Sequence, residues 1–125
     1  MAQKGGELEW RTYGLSIAKR VRALRTHRAL SQDQLAELSG LHRNQISNIE
    51  RNTSRDDGCA DPQMSTIYRL ARALDVAPSA LIPDADHQVN ERSAETASDI
   101  AWSAVETHLL AQLAEWDPAR PLTKN

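Results

Sequence analysis

The sequence of 125 residues lacks the features that mark secreted, membrane and redox proteins. Cys59 is its only cysteine, so no disulfide can form within the chain, and a lone loop thiol is assigned no role. No apolar run approaches the roughly 18 residues that a membrane-spanning helix needs, and the polar N-terminus lacks the apolar centre of a signal peptide. These absences predict a cytoplasmic protein that does not interact with a membrane.

Catalytic and metal-binding patterns are missing as well. The four histidines are scattered without the spacing of metal ligands (His27, His42, His87 and His108). The sequence contains no glycine-rich phosphate-binding loop, no nucleophile elbow and no recognisable pair of catalytic carboxylates. It therefore predicts no enzyme, no metal and no cofactor, but binding without catalysis.

Acidic and basic residues are segregated along the chain, although the net charge is only -2. Residues 11–55 carry nine lysines and arginines against three acids, a local charge of +6. Residues 83–117 carry eight acids against one arginine, a local charge of -7. A basic N-terminal part and an acidic C-terminal part suit a protein that presents one face to phosphates. Ordinary solvated helices can, however, carry the same charges. The pattern alone leaves both interpretations open.

Two short helices joined by a glycine turn are predicted near the middle of the chain. Ser31 and Gln34 have the spacing of a capping box, which predicts the start of a helix over residues 31–39. Leu38 of this helix is expected in the core. Gly40 stands where a left-handed residue ends a helix, so the second helix follows directly after the turn.

The second helix, predicted over residues 43–51, divides into an apolar and a polar side. At 100° per residue, Ile46 and Ile49 fall together on the side opposite Asn44. The polar side carries amide, hydroxyl and guanidinium groups, which match base edges: an amide can bind adenine and a guanidinium can bind guanine. A merely solvated helix would more usually carry glutamate and lysine there. The pattern therefore favours DNA recognition.

The surrounding segments are predicted to complete a small domain. Residues 1–11 are expected to be flexible, and apolar residues at helical spacing predict a first helix over residues 12–27. Trp10 and Tyr13 precede the expected core, so they are expected to pack on another segment. A fourth helix is predicted to begin at the pair Asp61-Pro62, with its buried side starting at Met64, and a short helix over residues 78–81 follows.

Residues 17–82 resemble the helix-turn-helix domain of the XRE family, which includes the repressors and Cro proteins of lambdoid phages. The likeness rests on five sequence matches: LSQ at 30–32, LA at 35–36, GL at 40–41, ISNIER at 46–51 and LARAL at 70–74. It implies an all-α fold, a five-helix lambda-repressor-like bundle over residues 12–83, to which a long C-terminal helix outside the resemblance is added. It also implies a transcriptional regulator that binds double-stranded DNA as a dimer, reading a two-fold operator in the major groove.

The resemblance carries roles over to individual residues. Base edges would be approached by Arg43, Asn44 and Asn48, with Gln45 and Ser47 as secondary candidates. The sugar–phosphate backbone would be approached by Gln32, His42 and Arg51. An ion pair between Arg25 on the first helix and Glu50 on the recognition helix would fasten the reading element to its scaffold.

The sequence departs from the family pattern after Arg51. The loop over residues 52–61 is several residues longer than the pattern expects. Thr53 and Arg55 are placed where they could contact the DNA backbone beside the groove. Alternatively the loop is a tolerated insertion without a function, since lengthening a loop costs little closure entropy.

The C-terminal part is predicted to be a polar linker over residues 84–92, a long helix over residues 93–117 and a tail over residues 118–125. The helix carries an apolar stripe at steps of three and four residues, consisting of Trp102, Val105, Leu109, Leu113 and Trp116. This stripe could pack back on its own domain through Trp10 and Tyr13 or pair with a second subunit. A homodimer is favoured because a two-fold operator calls for a two-fold protein.

Two other functions remain open. The chain could be the antitoxin of a toxin–antitoxin pair, which also binds DNA and would use the C-terminal helix to hold a toxin partner. It could also be a protein–protein interaction module that no longer binds DNA. The amide-rich side of the recognition helix argues against the second alternative.

Overall fold

The computed structural model describes residues 6–54 and 58–115, so that Arg55, Trp116 and the predicted tail lie outside the described residues. The described chain is helical without any strand, which confirms the all-α prediction. It consists of α1 (Trp10–His27), α2 (Gln32–Ser39), α3 (Arg43–Glu50), α4 (Met64–Leu74) and α5 (Asp99–Glu115), with single turns of 3-10 helix at Pro78–Leu81 and Ala94–Thr96. None of the helices seen here combines the length and apolarity that a membrane crossing requires.

Helix α1 forms the centre of the bundle, because α3, α4 and α5 all pack against it. Its buried apolar residues follow the three- and four-residue steps of one helical stripe. Every α-helix contributes to the same core, which contains Ile17, Val21, Leu24, Leu35, Ile46, Ile49, Ile67, Leu70, Leu74, Leu81, Leu109 and Leu113.

The predicted helix-turn-helix is present with the expected chemistry at its ends. The Ser31 hydroxyl accepts a hydrogen bond from the Gln34 amide, and the Gln34 side chain accepts one from the Ser31 amide, which completes the capping box. Gly40 ends α2 with a left-handed φ of 75°. Leu38, expected in the core, is instead 56% exposed. The buried side of α2 runs through Leu35 and Ser39, and Leu38 points about 80° away from it.

Helix α4 begins later than predicted. Its first residue is Met64 and its N-cap is Gln63, so Asp61 and Pro62 belong to the preceding loop rather than to the helix start. Met64 is 62% exposed, whereas Ile67 and Leu70 are buried. The first turn of α4 therefore projects beyond the core that covers the rest of the helix.

The segment predicted as a linker, residues 84–92, is packed against α1. The Tyr13 hydroxyl donates to the Asn90 carbonyl oxygen (2.7 Å) and accepts from the Asn90 amide (3.0 Å). The Glu9 amide donates to the Glu91 carbonyl oxygen, and Trp10 stacks on Tyr13 with 6.0 Å between ring centroids. Helix α1 starts at Trp10 instead of residue 12. The segment expected to contact these aromatic residues is the connector for Tyr13 and the loop before α4 for Trp10, whose indole Nε1 donates to the Ala60 carbonyl oxygen at 2.7 Å.

A buried ion pair between Arg20 and Glu95 attaches the segment before α5 to α1. Arg20 Nη2 donates to both carboxylate oxygens of Glu95 at 2.9 Å. The Ser16 hydroxyl donates to the same carboxylate at 2.7 Å. The backbone amide of Asp84 also donates to Glu95. Burial would raise the pKa of Glu95, but the hydrogen bonds from Ser16, Asp84 and Arg20 and the charge of Arg20 outweigh it and lower this pKa. Glu95 is thereby held in its charged form.

The predicted helix over residues 93–117 begins at Asp99, because Ser93, Glu95 and Thr96 make tertiary hydrogen bonds that hold the preceding segment outside the α-helix. Ser93 donates to the Asp84 carboxylate, and the Thr96 hydroxyl donates to the Thr12 carbonyl oxygen. Leu109 and Leu113, which the sequence assigned to a dimer interface, are 1% and 4% exposed in the core of their own chain. They are therefore corrected from subunit contacts to core residues.

Candidate nucleic-acid interface

Helix α3 has one buried side and one exposed side. Ile46 is fully buried and Ile49 is 5% exposed, so these two residues hold the helix on the bundle. Arg43 and Asn44 are exposed, and Asn48 is half-buried one turn after Asn44. The structure thus brings the three main candidates for base contact together on the outward side of the helix. The secondary candidates Gln45 and Ser47 flank them, exposed and half-buried respectively.

Several of these side chains already have partners within the protein. The Gln45 side-chain oxygen accepts a hydrogen bond from the His42 amide at 3.0 Å, so it caps its own helix and leaves only its amide donors for DNA. Arg43 Nε lies 3.2 Å from an Asp33 carboxylate oxygen in an exposed ion pair. Such a pair contributes about 0–1 kcal/mol, so Arg43 can exchange it for another acceptor.

The backbone candidates surround α3. Gln32 is half-buried at the first position of α2, and His42 is the exposed N-cap of α3. Arg51 is exposed at the other end of α3, where its Nη2 donates to the Asn48 side-chain oxygen at 3.1 Å. The amide of Thr53 donates to the Asn48 carbonyl oxygen, which keeps Thr53 close to the end of the helix. Arg55 lies outside the described residues.

The carboxylate of Glu50 connects three helices. Arg25 Nε donates to its Oε2 at 2.7 Å and Arg25 Nη2 to its Oε1 at 2.9 Å, which is the ion pair implied by the resemblance. Gln32 of α2 donates to Oε1 at 3.1 Å, and Arg22 Nε lies 3.5 Å from the same oxygen. Because Glu50 is the last residue of α3, this carboxylate attaches the candidate recognition helix to α1 and α2.

Electrostatics keep Glu50 charged despite its burial. Burial alone would raise its pKa, but the hydrogen bonds from Arg25 and Gln32, together with the charges of Arg25 and Arg22, outweigh this effect and lower the pKa of Glu50. The hydrogen bond with Glu50 also raises the pKa of Arg25, although burial opposes the shift. Both partners are therefore ionised at neutral pH.

Asn52 and Gly14 position the loop after α3, and neither was predicted from the sequence. Asn52 is buried with a left-handed φ of 53°, donates to the Arg11 carbonyl oxygen and accepts from the Ala60 amide. A Cβ on Gly14 would overlap the Asn52 side-chain oxygen, so glycine permits this close approach. An Asn directly after a helix is the available signal, because Asn adopts left-handed φ more readily than most residues.

Comparison with known proteins assigns the fold to a family. A family model described as a helix-turn-helix domain matches residues 18–86, more than half of the chain. The chain belongs to the helix-turn-helix family of transcriptional regulators. The resemblance to repressor-type regulators is thereby confirmed, and proteins of this family are regulators rather than enzymes.

The relatives of this helix-turn-helix protein are bacterial and phage regulators. It is 39% identical over 66 residues to the control protein C.SmaI of Serratia marcescens, covering 53% of this chain and 71% of that protein. It is 32% identical over 81 residues to the immunity repressor of Bacillus phage phi105, covering 65% of this chain and 51% of the repressor. The solved structure of the hypothetical transcription factor NHTF from Neisseria matches with a TM-score of 0.50 at 28% identity, covering 66% of this chain and 88% of NHTF.

Proposed function

We propose that this regulator binds a two-fold DNA operator as a homodimer, with α3 of each subunit in the major groove. The observation that carries the proposal is the division of α3. Its isoleucines are buried in the core, while Arg43 and Asn44 are exposed beside the half-buried Asn48. A short helix that presents guanidinium and amide groups outward matches the donor and acceptor pattern of base edges.

The proposed roles follow from where the described side chains lie, and the role of Arg55 follows from the sequence alone. Arg43 would donate to guanine O6 and N7, and Asn44 and Asn48 would bind adenine N6 and N7, with Gln45 and Ser47 as additional contacts. Gln32, His42, Arg51, Thr53 and Arg55 would contact phosphates or sugars and fix the position of α3. The relatives come from bacteria and a phage, whose operators are reached in the cytoplasm, where we propose that the protein acts.

The dimer of this proposal cannot use the whole apolar stripe of α5. Leu109 and Leu113 are buried within their own chain. Trp102 and Val105 are half-buried and retain surface that a second subunit could cover. We therefore propose Trp102 and Val105 as the remaining described candidates from the predicted interface. Sedimentation of the full chain should give twice the monomer mass, and a monomer bound to a single half-site would contradict the two-fold arrangement.

The antitoxin alternative gains no support from the structure described here. It would need a C-terminal segment that is available to a toxin, whereas α5 packs through two leucines on the domain of its own chain. The other alternative, a protein–protein interaction module that no longer binds DNA, is tested by a binding experiment. A gel shift with mixed-sequence duplexes at low salt should show binding, because non-specific binding is electrostatic.

Selection of bound sites from random duplexes tests the proposal. We expect an inverted repeat whose half-sites are centred about 10 base pairs apart, because two recognition helices enter successive major grooves about 34 Å apart. Enrichment of a single direct site would contradict the two-fold arrangement. Absence of any enriched sequence would contradict sequence-specific recognition by α3.

A further inference from the structure

Arg22 lies on α1 beside the recognition helix, on a surface that α2 also reaches. Its Nε is 3.5 Å from Glu50 Oε1, the oxygen that also accepts the Gln32 amide at 3.1 Å. Two groups that contact one oxygen must lie close to each other. The Arg22 guanidinium and the Gln32 amide therefore form one patch, and Gln32 is the residue proposed to contact the DNA backbone at the start of α2.

The charge of Arg22 is available at this patch. Arg25 holds the Glu50 carboxylate through two hydrogen bonds of 2.7 and 2.9 Å and so neutralises its charge. The Arg22 side chain, by contrast, is 60% exposed. Within the described part of the chain, neither of its Nη groups donates a hydrogen bond. Arg22 thus contributes an exposed positive charge with free donors next to Gln32.

We propose that Arg22 binds a phosphate of the DNA backbone, adjacent to the position that Gln32 approaches. The inference rests on the proposed DNA binding and adds α1 to an interface otherwise formed by α2, α3 and the loop after α3. Guanidinium groups bind phosphates through paired, charge-assisted hydrogen bonds. A phosphate contact positions the protein and carries no sequence information, so Arg22 should contribute affinity without altering base preference.

The salt dependence of binding tests this contact. The full-length protein and its Arg22→Gln variant would be titrated with one selected duplex at several salt concentrations. The proposed homodimer loses one phosphate contact in each subunit, so the magnitude of the slope of log K against log salt should fall by about 1.8. With equal affinities at 1 M salt, that change of slope makes the variant about 60-fold weaker at 0.1 M salt. The selected base preference should remain unchanged.

Arg72→Gln is the matched control. Arg72 is an exposed arginine on α4, in a separate hollow with Tyr68 and Pro78, so its substitution should leave the slope at the wild-type value. Arg22→Lys, which keeps the charge, should also retain most of the slope. An equal loss of slope in the Arg22→Gln and Arg72→Gln variants would indicate only a general effect of net charge and would overturn the assignment.

Two further outcomes separate this inference from the proposed function. If the wild-type protein binds but Arg22→Gln keeps the wild-type slope, Arg22 acts only through Glu50 and the phosphate contact is refuted. Thermal melting would then show a lowered melting temperature without a change in salt dependence. If the wild-type protein binds no duplex even at low salt, the proposed function itself fails and the inference fails with it.

Discussion

The side chains of α3 divide between those proposed to contact bases and those that hold the helix on the bundle. Asn44 is exposed and its side chain makes no hydrogen bond among the described residues, whereas Glu50 has a fully buried side chain that contacts Arg25, Gln32 and Arg22. Substitutions at these two positions should therefore affect different properties. The first should change DNA recognition with little effect on folding, and the second should change folding first.

Asn44→Ala should weaken specific DNA binding by about 1–3 kcal/mol per half-site and relax the choice of base at one position of each half-site, because the paired amide contact with adenine is lost. Binding titrations on matched and substituted operators would measure both effects. Asn90→Ala is the control, since the Asn90 side chain is exposed on the connector. Unaltered base preference in the Asn44 variant would show that this residue does not read the operator.

Glu50→Ala should lower the free energy of unfolding by about 3–5 kcal/mol, because it leaves Arg25 without its buried partner. Chemical denaturation would measure the loss, and any DNA-binding defect would follow from it. Asp33→Ala removes the exposed ion pair with Arg43 and should change stability by no more than about 1 kcal/mol. An unchanged stability of Glu50→Ala would show that the pair contributes nothing to folding.

Acid should destabilise the protein through Glu50 and Glu95, since both have lowered pKa values in the folded state. Above the ordinary glutamate pKa of 4.5 their contribution is fully present, and it is lost as pH falls through the lower folded pKa values. Thermal melts near neutral pH should thus be constant, with a decline below about pH 4.5. Glu50→Gln should show a shallower decline than the wild type, and an identical pH profile would contradict the prediction.

Among the helices, α1 ends with an alanine in a left-handed conformation that favours glycine. The Leu30 amide donates to the Arg25 carbonyl oxygen and the Ala29 amide to the Thr26 carbonyl oxygen, which together form a Schellman motif. Ala29 occupies its left-handed position with φ of 58°. Glycine adopts this conformation without steric cost, whereas alanine does not.

Ala29→Gly should therefore stabilise the protein by about 0.5–1 kcal/mol. The matched control is Ala104→Gly in the middle of α5, which should destabilise by a similar amount because glycine is a poor helix former. Urea denaturation of both variants would show opposite signs. Destabilisation by both substitutions would mean that the left-handed conformation at Ala29 carries no steric cost.

The elements that could be predicted from the sequence are those determined by local chemistry. The Ser31–Gln34 capping box and Gly40 define the helix-turn-helix within a few residues, and its apolar positions show which side is buried. The start of α5 could not be predicted in this way. Residues 93–98 have no glycine or proline and favour a helix locally, but Ser93, Glu95 and Thr96 make hydrogen bonds to partners distant in sequence. Only the tertiary structure reveals these partners.

The candidate site shows the same division. The outward residues of α3 could be predicted from helical periodicity, since the geometry of one short helix determines them. Asn52, Gly14 and Arg22 could not, because their importance depends on contacts between α1 and residues that follow later in the chain. A pattern within one segment does not specify which distant segment it meets.

For the molecule as a whole, the main finding is that the C-terminal third belongs to the domain. The connector binds α1 through Tyr13, Glu95 pairs with Arg20, and α5 inserts two leucines into the core. The sequence predicted a polar linker over residues 84–92 and left open whether the helix after it packs on its own domain or on a second subunit. The structure instead extends the domain to α5, so that removal of this helix would expose the core.

Leu109→Ala should consequently destabilise the whole domain by about 2–5 kcal/mol, as expected when a buried leucine is truncated. Its neighbour Leu110 is 36% exposed, and Leu110→Ala should cost much less. Denaturation would measure stability, and sedimentation would measure the subunit mass. A Leu109→Ala protein with normal stability but altered mass would instead place this leucine between subunits.

The separation of the two sides of α3 has a consequence for how regulators of this kind diversify. Ile46, Ile49 and Glu50 attach the helix to the bundle, whereas Arg43, Asn44 and Asn48 face away from the core, so the two sets share no residue. Under the proposed function, recognition could therefore change one side chain at a time while the scaffold remains intact. A duplicated copy could acquire a different operator in this way without passing through an unfolded intermediate, and the two copies would then act on separate promoters.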